Sequence, residues 1–181
     1  MFKTKILQNK QKCLDTYCVF DLETTGLSPA TNKIIEIAIL KIKDNRIVDT
    51  YESLINPNMR ISRSASRVNG ISDDMVMHKP SFDELKDDIL AFIGNDVLVG
   101  HNVTFDMKFL ECELHHKLNN KTIDTLTLSR KYYPQLAHHR LQDMRELLHL
   151  SVNTHRALSD CICTKELYDH LKAKYQQENS Y

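Results

Sequence analysis

The chain has 181 residues, 41% of them hydrophobic and 27% charged, which suits one globular domain with room for a sizeable core. Its 24 basic and 24 acidic residues cancel, which excludes a protein that coats nucleic acid through a broad basic surface and leaves only a local grip on a short stretch. No apolar run approaches membrane-span length, and the lysine-rich start, with Ile6 and Leu7 as its one apolar pair, is neither a secretory signal nor a transit peptide.

Residues 1–15 are expected to form a flexible leader, 16–176 the folded domain and 177–181 a short tail. Residues 17–22 are rich in β-branched and aromatic side chains and read as a strand. Strands at 33–42 and 46–55 follow, joined by a turn at 43–45 short enough to require an antiparallel hairpin. Gly26 and residues 27–32 make a loop between the first two strands. Asn56-Pro57 ends the third strand, and a polar segment leads to a turn at Asn69-Gly70 with a short helix after Ser72. Ser81 and Glu84 have the spacing of a capping box, which opens a helix that Gly94 stops.

A short buried strand at 97–100 precedes a helix with Thr104 as its N-cap, running to about residue 117. A strand at 121–123 leads into Asp124-Thr125, the cap of a helix through Tyr132 that Pro134 terminates, and 141–150 is another helix. The last helix, 156–176, aligns Ala157, Cys161, Thr164, Tyr168, Leu171 and Tyr175 in a core stripe. Strands first, then strands alternating with helices, indicate an α/β or α+β domain around a mixed sheet, whose sites gather at strand ends. The five cysteines lack paired CxxC spacing and read as reduced thiols in a cytoplasmic protein. Basic clusters at Arg60, Arg63 and Arg67, at Arg130 and Lys131, and at His138, His139, Arg140 and Arg145 read as solvated faces before phosphate tracks.

Alternate side chains of a strand share a face, so Asp21 and Glu23 point the same way, about 6.5 to 7 Å apart, while Phe20 and Leu22 point into packing. Asp106 belongs to the first turn of the helix after the fourth strand, and Asp160 lies near the start of the last helix. Singly, each acid has a bland role, on a solvated strand face or beside a helix dipole. Together they are a costly cluster of like charges unless cations neutralise it, and hard oxygen ligands suit Mg²⁺ or Mn²⁺. Two such ions about 3.5 to 4 Å apart can stabilise both the attacking and the leaving oxygen of a phosphodiester. His155 lies five residues before Asp160, which in a continuous helix would set the two about 140° apart. His155 is therefore expected in the loop at the helix mouth, where an imidazole of ordinary pKa, about 6.5, can take a proton from water.

Residues 20–27 (FDLETTGL), 100–106 (GHNVTFD) and 155–160 (HRALSD) resemble the three motifs of the DEDDh 3′→5′ exonucleases, with His-x4-Asp where the sister subfamily has Tyr-x3-Asp. IIEIA at 34–38, INP at 55–57, VNGIS at 68–72 and IDTL at 123–126 are also similar to that family, nearest to the epsilon proofreading subunit of bacterial DNA polymerase III and the matching domain of polymerase C. The resemblance implies a ribonuclease H-like α/β fold, a central mixed five-stranded sheet flanked by helices. It implies that Asp21 bridges two divalent ions, Mg²⁺ or Mn²⁺, that Glu23 and Asp160 complete one site, that Asp106 serves the other, and that His155 is the general base. Thr24, Thr25, Gly26 and Leu27 would line the pocket of the terminal nucleotide, with Asn102 and Phe105 as further contacts.

The implied reaction is hydrolysis of single-stranded 3′ ends, DNA first, releasing nucleoside 5′-monophosphates in proofreading or repair. A DNA polymerase is a candidate partner and a membrane is not. The alternatives are an RNA 3′-end trimming nuclease and a catalytically silent binding module of a polymerase complex. Polymerase-associated epsilon subunits carry a docking tail, and the few residues here beyond the last helix lead to the expectation of a free-standing or differently recruited enzyme.

Overall fold

The structure is a computed structural model that describes residues 14–151 and 154–178. In chain order, β1 (Tyr17–Thr24), β2 (Ile34–Lys43) and β3 (Arg46–Leu54) form an antiparallel meander. There follow α1 (Arg63–Asn69), α2 (Asp73–Val76), α3 (Phe82–Ile93), β4 (Leu98–Gly100), α4 (Val103–Leu114), β5 (Thr122–Asp124), α5 (Thr125–Tyr132), α6 (Leu141–Leu148) and α7 (Ala157–Glu178). β4 pairs parallel with β1, and β5 parallel with β4, giving one five-stranded mixed sheet in the order β3-β2-β1-β4-β5. The expected central sheet flanked by helices is therefore the observed architecture.

Strand alternation sorts the core into two layers. Cys18, Phe20 and Leu22 of β1 join Ile37 and Ile39 of β2 on the face covered by Ile89 and Ile93 of α3 and Phe109 and Leu110 of α4. Tyr17 and Val19 join Ala38, Leu40 and Ile42 on the other face, under Ala157, Cys161 and Tyr168 of α7. β2 is buried on both faces, which is why its sequence reads as a nearly unbroken apolar run. Asp21 and Glu23 continue the odd-numbered series Tyr17, Val19, so the period of two that builds the α7 layer also delivers the two carboxylates to the α7 side.

Several boundaries differ from expectation. α4 begins at Val103, with Asn102 rather than Thr104 as its cap residue, and Asn102 takes a left-handed backbone at φ 66°. The reason is tertiary: the Asp124 carboxylate accepts the Asn102 N–H at 2.8 Å, and Gly100 has no Cβ to strike Val103. α4 ends at Leu114, short of residue 117, because His115 turns left-handed, and α6 ends at Leu148 where His149 does the same. α1 was not expected, since Ala65 and Val68 are too few apolar residues to show a period; its caps, Ser62 and Gly70, carry it instead. The expected leader falls outside the described residues except for Leu14 and Asp15. No helix among the described residues is long and apolar enough to cross a membrane.

Ile39 is fully buried between β2 and the α3–α4 layer. Replacing it with alanine is expected to cost about 2 to 5 kcal/mol of unfolding free energy, measurable as a lowered urea midpoint at unchanged slope.

Candidate active site

The C-terminal end of β1 is where the two layers converge on polar groups. One ligand oxygen from each of Asp21, Glu23 and Asp160 lies within 4.8 Å of the others. Asp21 and Glu23 come from β1, and Asp160 from the first turn of α7, which packs across the same face. Asp106 reaches the site from the opposite layer, in the first turn of α4. It is buried, and its carboxylate accepts backbone N–H groups, including that of Leu22.

The electrostatics follow from this crowding. Burial raises Asp21 well above the carboxylate range, and the charges of Asp106, Asp160 and Glu23 push it further. Glu23 is pushed up to about 8, first by burial and then by the Asp160 charge, against a hydrogen bond from Asn69 that lowers it. Burial also raises Asp106, partly offset by the amides it accepts. In Asp160 burial again leads, opposed by the Ser159 hydroxyl, the His155 charge and the N–H groups of Thr154 and His155. The ion pairs seen among the described residues involve other acids, and Arg156, the cation nearest Asp160 in sequence, is taken by Glu36. A pocket of acids with raised affinity for protons and, among the described residues, no ion pair to a lysine or arginine suits a divalent ion held by hard oxygen ligands.

His155 stands outside α7, as its spacing from Asp160 required. It is exposed, with a left-handed φ of 53°, at the mouth of the helix. The loop after β1 is tightly tied. The Thr24 hydroxyl donates to the Gly26 carbonyl at 2.7 Å, and the Thr25 N–H donates to the Lys33 carbonyl at 2.9 Å. The Thr25 hydroxyl donates to Asn32 and accepts the Lys33 N–H, so Thr25 holds the loop with both its polar groups. At Gly26 the chain passes so close to the Asn32 side-chain amide that a Cβ there would force that amide to move. Leu27 projects from this scaffold, 85% exposed. Asn102 is exposed at the start of α4, while Phe105 is half-buried and packs on Phe109 with ring centroids 5.0 Å apart.

Three further residues complete the surroundings: Asp124, expected only as the cap of its own helix and found as such, and two that sequence reasoning gave no role at the site. Asn69, at the end of α1, is buried and hydrogen-bonds Glu23. Asp124 caps α5 through Leu126 and Thr127 and also fixes Asn102, joining the starts of two helices. Glu36 is fully buried on β2, and the visible signal was a lone charge inside an apolar run.

An exonuclease family model, RNase_T, matches residues 18–168. The PolC-type DNA polymerase III of Oceanobacillus iheyensis is 41% identical over 155 residues, 83% of this chain and 11% of that protein. The PolC-type enzyme of Clostridium perfringens is 36% identical over 168 residues, 91% of this chain and 12% of that protein. The chain thus spans only about a ninth of the length of the curated relatives it matches. Among solved structures, exonuclease X in complex with 5′-overhanging duplex DNA superposes with a TM-score of 0.73 at 27% identity, covering 91% of this chain and 93% of that one. E. coli exonuclease I in complex with a dT13 oligonucleotide gives 0.77 at 16% identity, covering 91% and 42%, a likeness of fold.

A carboxyl whose folded pKa lies above its unfolded value binds protons more tightly in the folded state, so stability is lost as pH rises between the two. For Glu23 that window runs from the ordinary 4.5 to about 8. In EDTA the wild type is therefore expected to lose stability from about pH 5 to about pH 8, and Glu23→Gln to lose less. At the upper end the variant should exceed the wild type by on the order of 1 kcal/mol, about 2 to 4 °C in Tm. Superimposable melting curves at every pH would contradict the raised proton affinity that burial, and then the Asp160 charge, give Glu23.

Proposed function

The chain belongs to the RNase_T exonuclease family, whose model spans residues 18–168, and on that footing we propose that residues 16–176 form a 3′→5′ exonuclease domain for single-stranded ends, DNA before RNA. The observation that carries the proposal is the convergence of Asp21, Glu23 and Asp160 on one spot, with the buried Asp106 acting on Asp21. The curated relatives are DNA polymerases and exonuclease X is solved with DNA, which favours DNA as substrate and a DNA polymerase as a partner.

Asp21, Glu23 and Asp160 would hold one divalent ion and Asp21 with Asp106 a second, Mg²⁺ or Mn²⁺. Such ions supply charge neutralisation and Lewis acidity at the scissile phosphate. The chain's own groups do the rest. Leu27, held out by the tied loop, lies against the terminal base, and the backbone of Gly26 and Leu27 meets the 3′ end, with Asn102 and Phe105 bordering the strand. His155 takes a proton from the attacking water as its oxygen bonds to phosphorus and the bond from phosphorus to the 3′ oxygen breaks. The leaving 3′ oxygen is protonated from solvent, which frees a nucleoside 5′-monophosphate and leaves a strand one residue shorter.

The test is to incubate the protein with 5′-labelled single-stranded DNA and RNA of the same sequence, with Mg²⁺, with Mn²⁺ or with EDTA. A ladder shortening from the 3′ end in either metal and none in EDTA is the expected result, with DNA degraded faster. Asp160→Ala should keep the fold by circular dichroism and give no ladder. Internal cuts, shortening from the 5′ end or a ladder that survives EDTA would overturn the proposal.

A further inference from the structure

Glu36 is fully buried in β2, directly opposite Glu23 in the strand register. Its carboxylate is satisfied by one short segment of the chain. The Nε of Arg156 lies 2.9 and 3.0 Å from its two oxygens, Nη2 of the same guanidinium also donates, and the Ala157 N–H donates at 2.9 Å. Ala157 is the first residue of α7, so this helix starts on a carboxylate supplied by the sheet. On the other side of His155, the Thr154 N–H donates to the Ser159 hydroxyl at 3.0 Å, and that hydroxyl's one hydrogen is shared between the Arg156 carbonyl at 2.9 Å and the Asp160 carboxylate at 3.1 Å.

His155 is thus the one residue between two anchors, and its backbone is left-handed. Such a conformation persists in a side chain with a Cβ only where the surroundings over-determine it. A buried ion pair replaced as a whole by well-packed apolar residues often costs little stability, so the pair's geometry calls for a use beyond packing. We infer that Glu36 and Arg156 are positioning residues for His155: their two-pronged ion pair locks the residue after it, holds the left-handed bend and keeps the imidazole beside Asp160. The inference rests on the reading of His155 as the general base.

The experiment compares single-turnover and steady-state rates of the full chain on 5′-labelled single-stranded DNA for Glu36→Gln, Arg156→Gln, Arg156→Lys and His155→Ala, and for the first two combined with His155→Ala. Loss of an outer partner of this kind costs about 10- to 100-fold, so Glu36→Gln and Arg156→Gln should lower kcat by that factor with KM within about twofold. Arg156→Lys, which keeps the charge without the fork, should fall between them and the wild type. In the His155→Ala background neither substitution should lower the rate more than about twofold further, because both act through a side chain already gone.

Full multiplicative losses in that background would show that the pair acts independently of His155 and overturn the inference while leaving the base assignment standing. Wild-type kcat in Glu36→Gln and Arg156→Gln, with His155→Ala inactive, would do the same. A fully active His155→Ala would instead remove the base assignment, and this inference with it. Arg156 is half-exposed, so its variants decide the question if melting curves show that Glu36→Gln does not fold.

Discussion

Like charges repel, and this fold nonetheless presses four carboxylates together at the end of one strand. What holds them is apolar packing on both sides of the sheet. Each large aliphatic or aromatic side chain taken from water contributes about 1.5 to 3 kcal/mol. Phe20 and Leu22 against α4 on one face, and Val19 and Leu40 against α7 on the other, fix β1 relative to both helices. The acids ride on those elements and have no freedom to separate. The site is a place where core burial imposes an arrangement that electrostatics alone would reject, and the raised proton affinities of Asp21 and Glu23 record the conflict.

Much of this was legible in the residues because it follows from two periods. The spacing of two put Asp21 and Glu23 on one face and Phe20 and Leu22 on the other, and the sheet bears that out. The spacing of 3.6 made it impossible for His155 and Asp160 to share a helix face, and His155 does lie before α7 begins. What could not be read were interactions between distant segments. Nothing near Thr104 says that Asp124 will claim the Asn102 amide and start α4 earlier, and nothing in α1 says that Asn69 will reach Glu23. Glu36 was visible as a charge in an apolar strand, but its partner lies 120 residues away.

The loop from Thr24 to Asn32 shows how such a site is made rigid. Its hydroxyls and amides bond to each other and to Lys33, which leaves Leu27 displayed on a fixed support. The surroundings of the acids work in the same way, with Asn69 on Glu23 and the Leu22 amide on Asp106. All of these residues fall within the stretch that matches the exonuclease family, residues 18–168.

The proposed metal site requires that the converging acids hold protons when no cation is present and give them up when one binds. Titration calorimetry with Mn²⁺ near pH 7, repeated in two buffers of different ionisation enthalpy, measures the protons released per ion bound. The account predicts saturable binding with net proton release, and smaller release in Glu23→Gln. Saturable binding with no buffer dependence, or no binding at all, would contradict it.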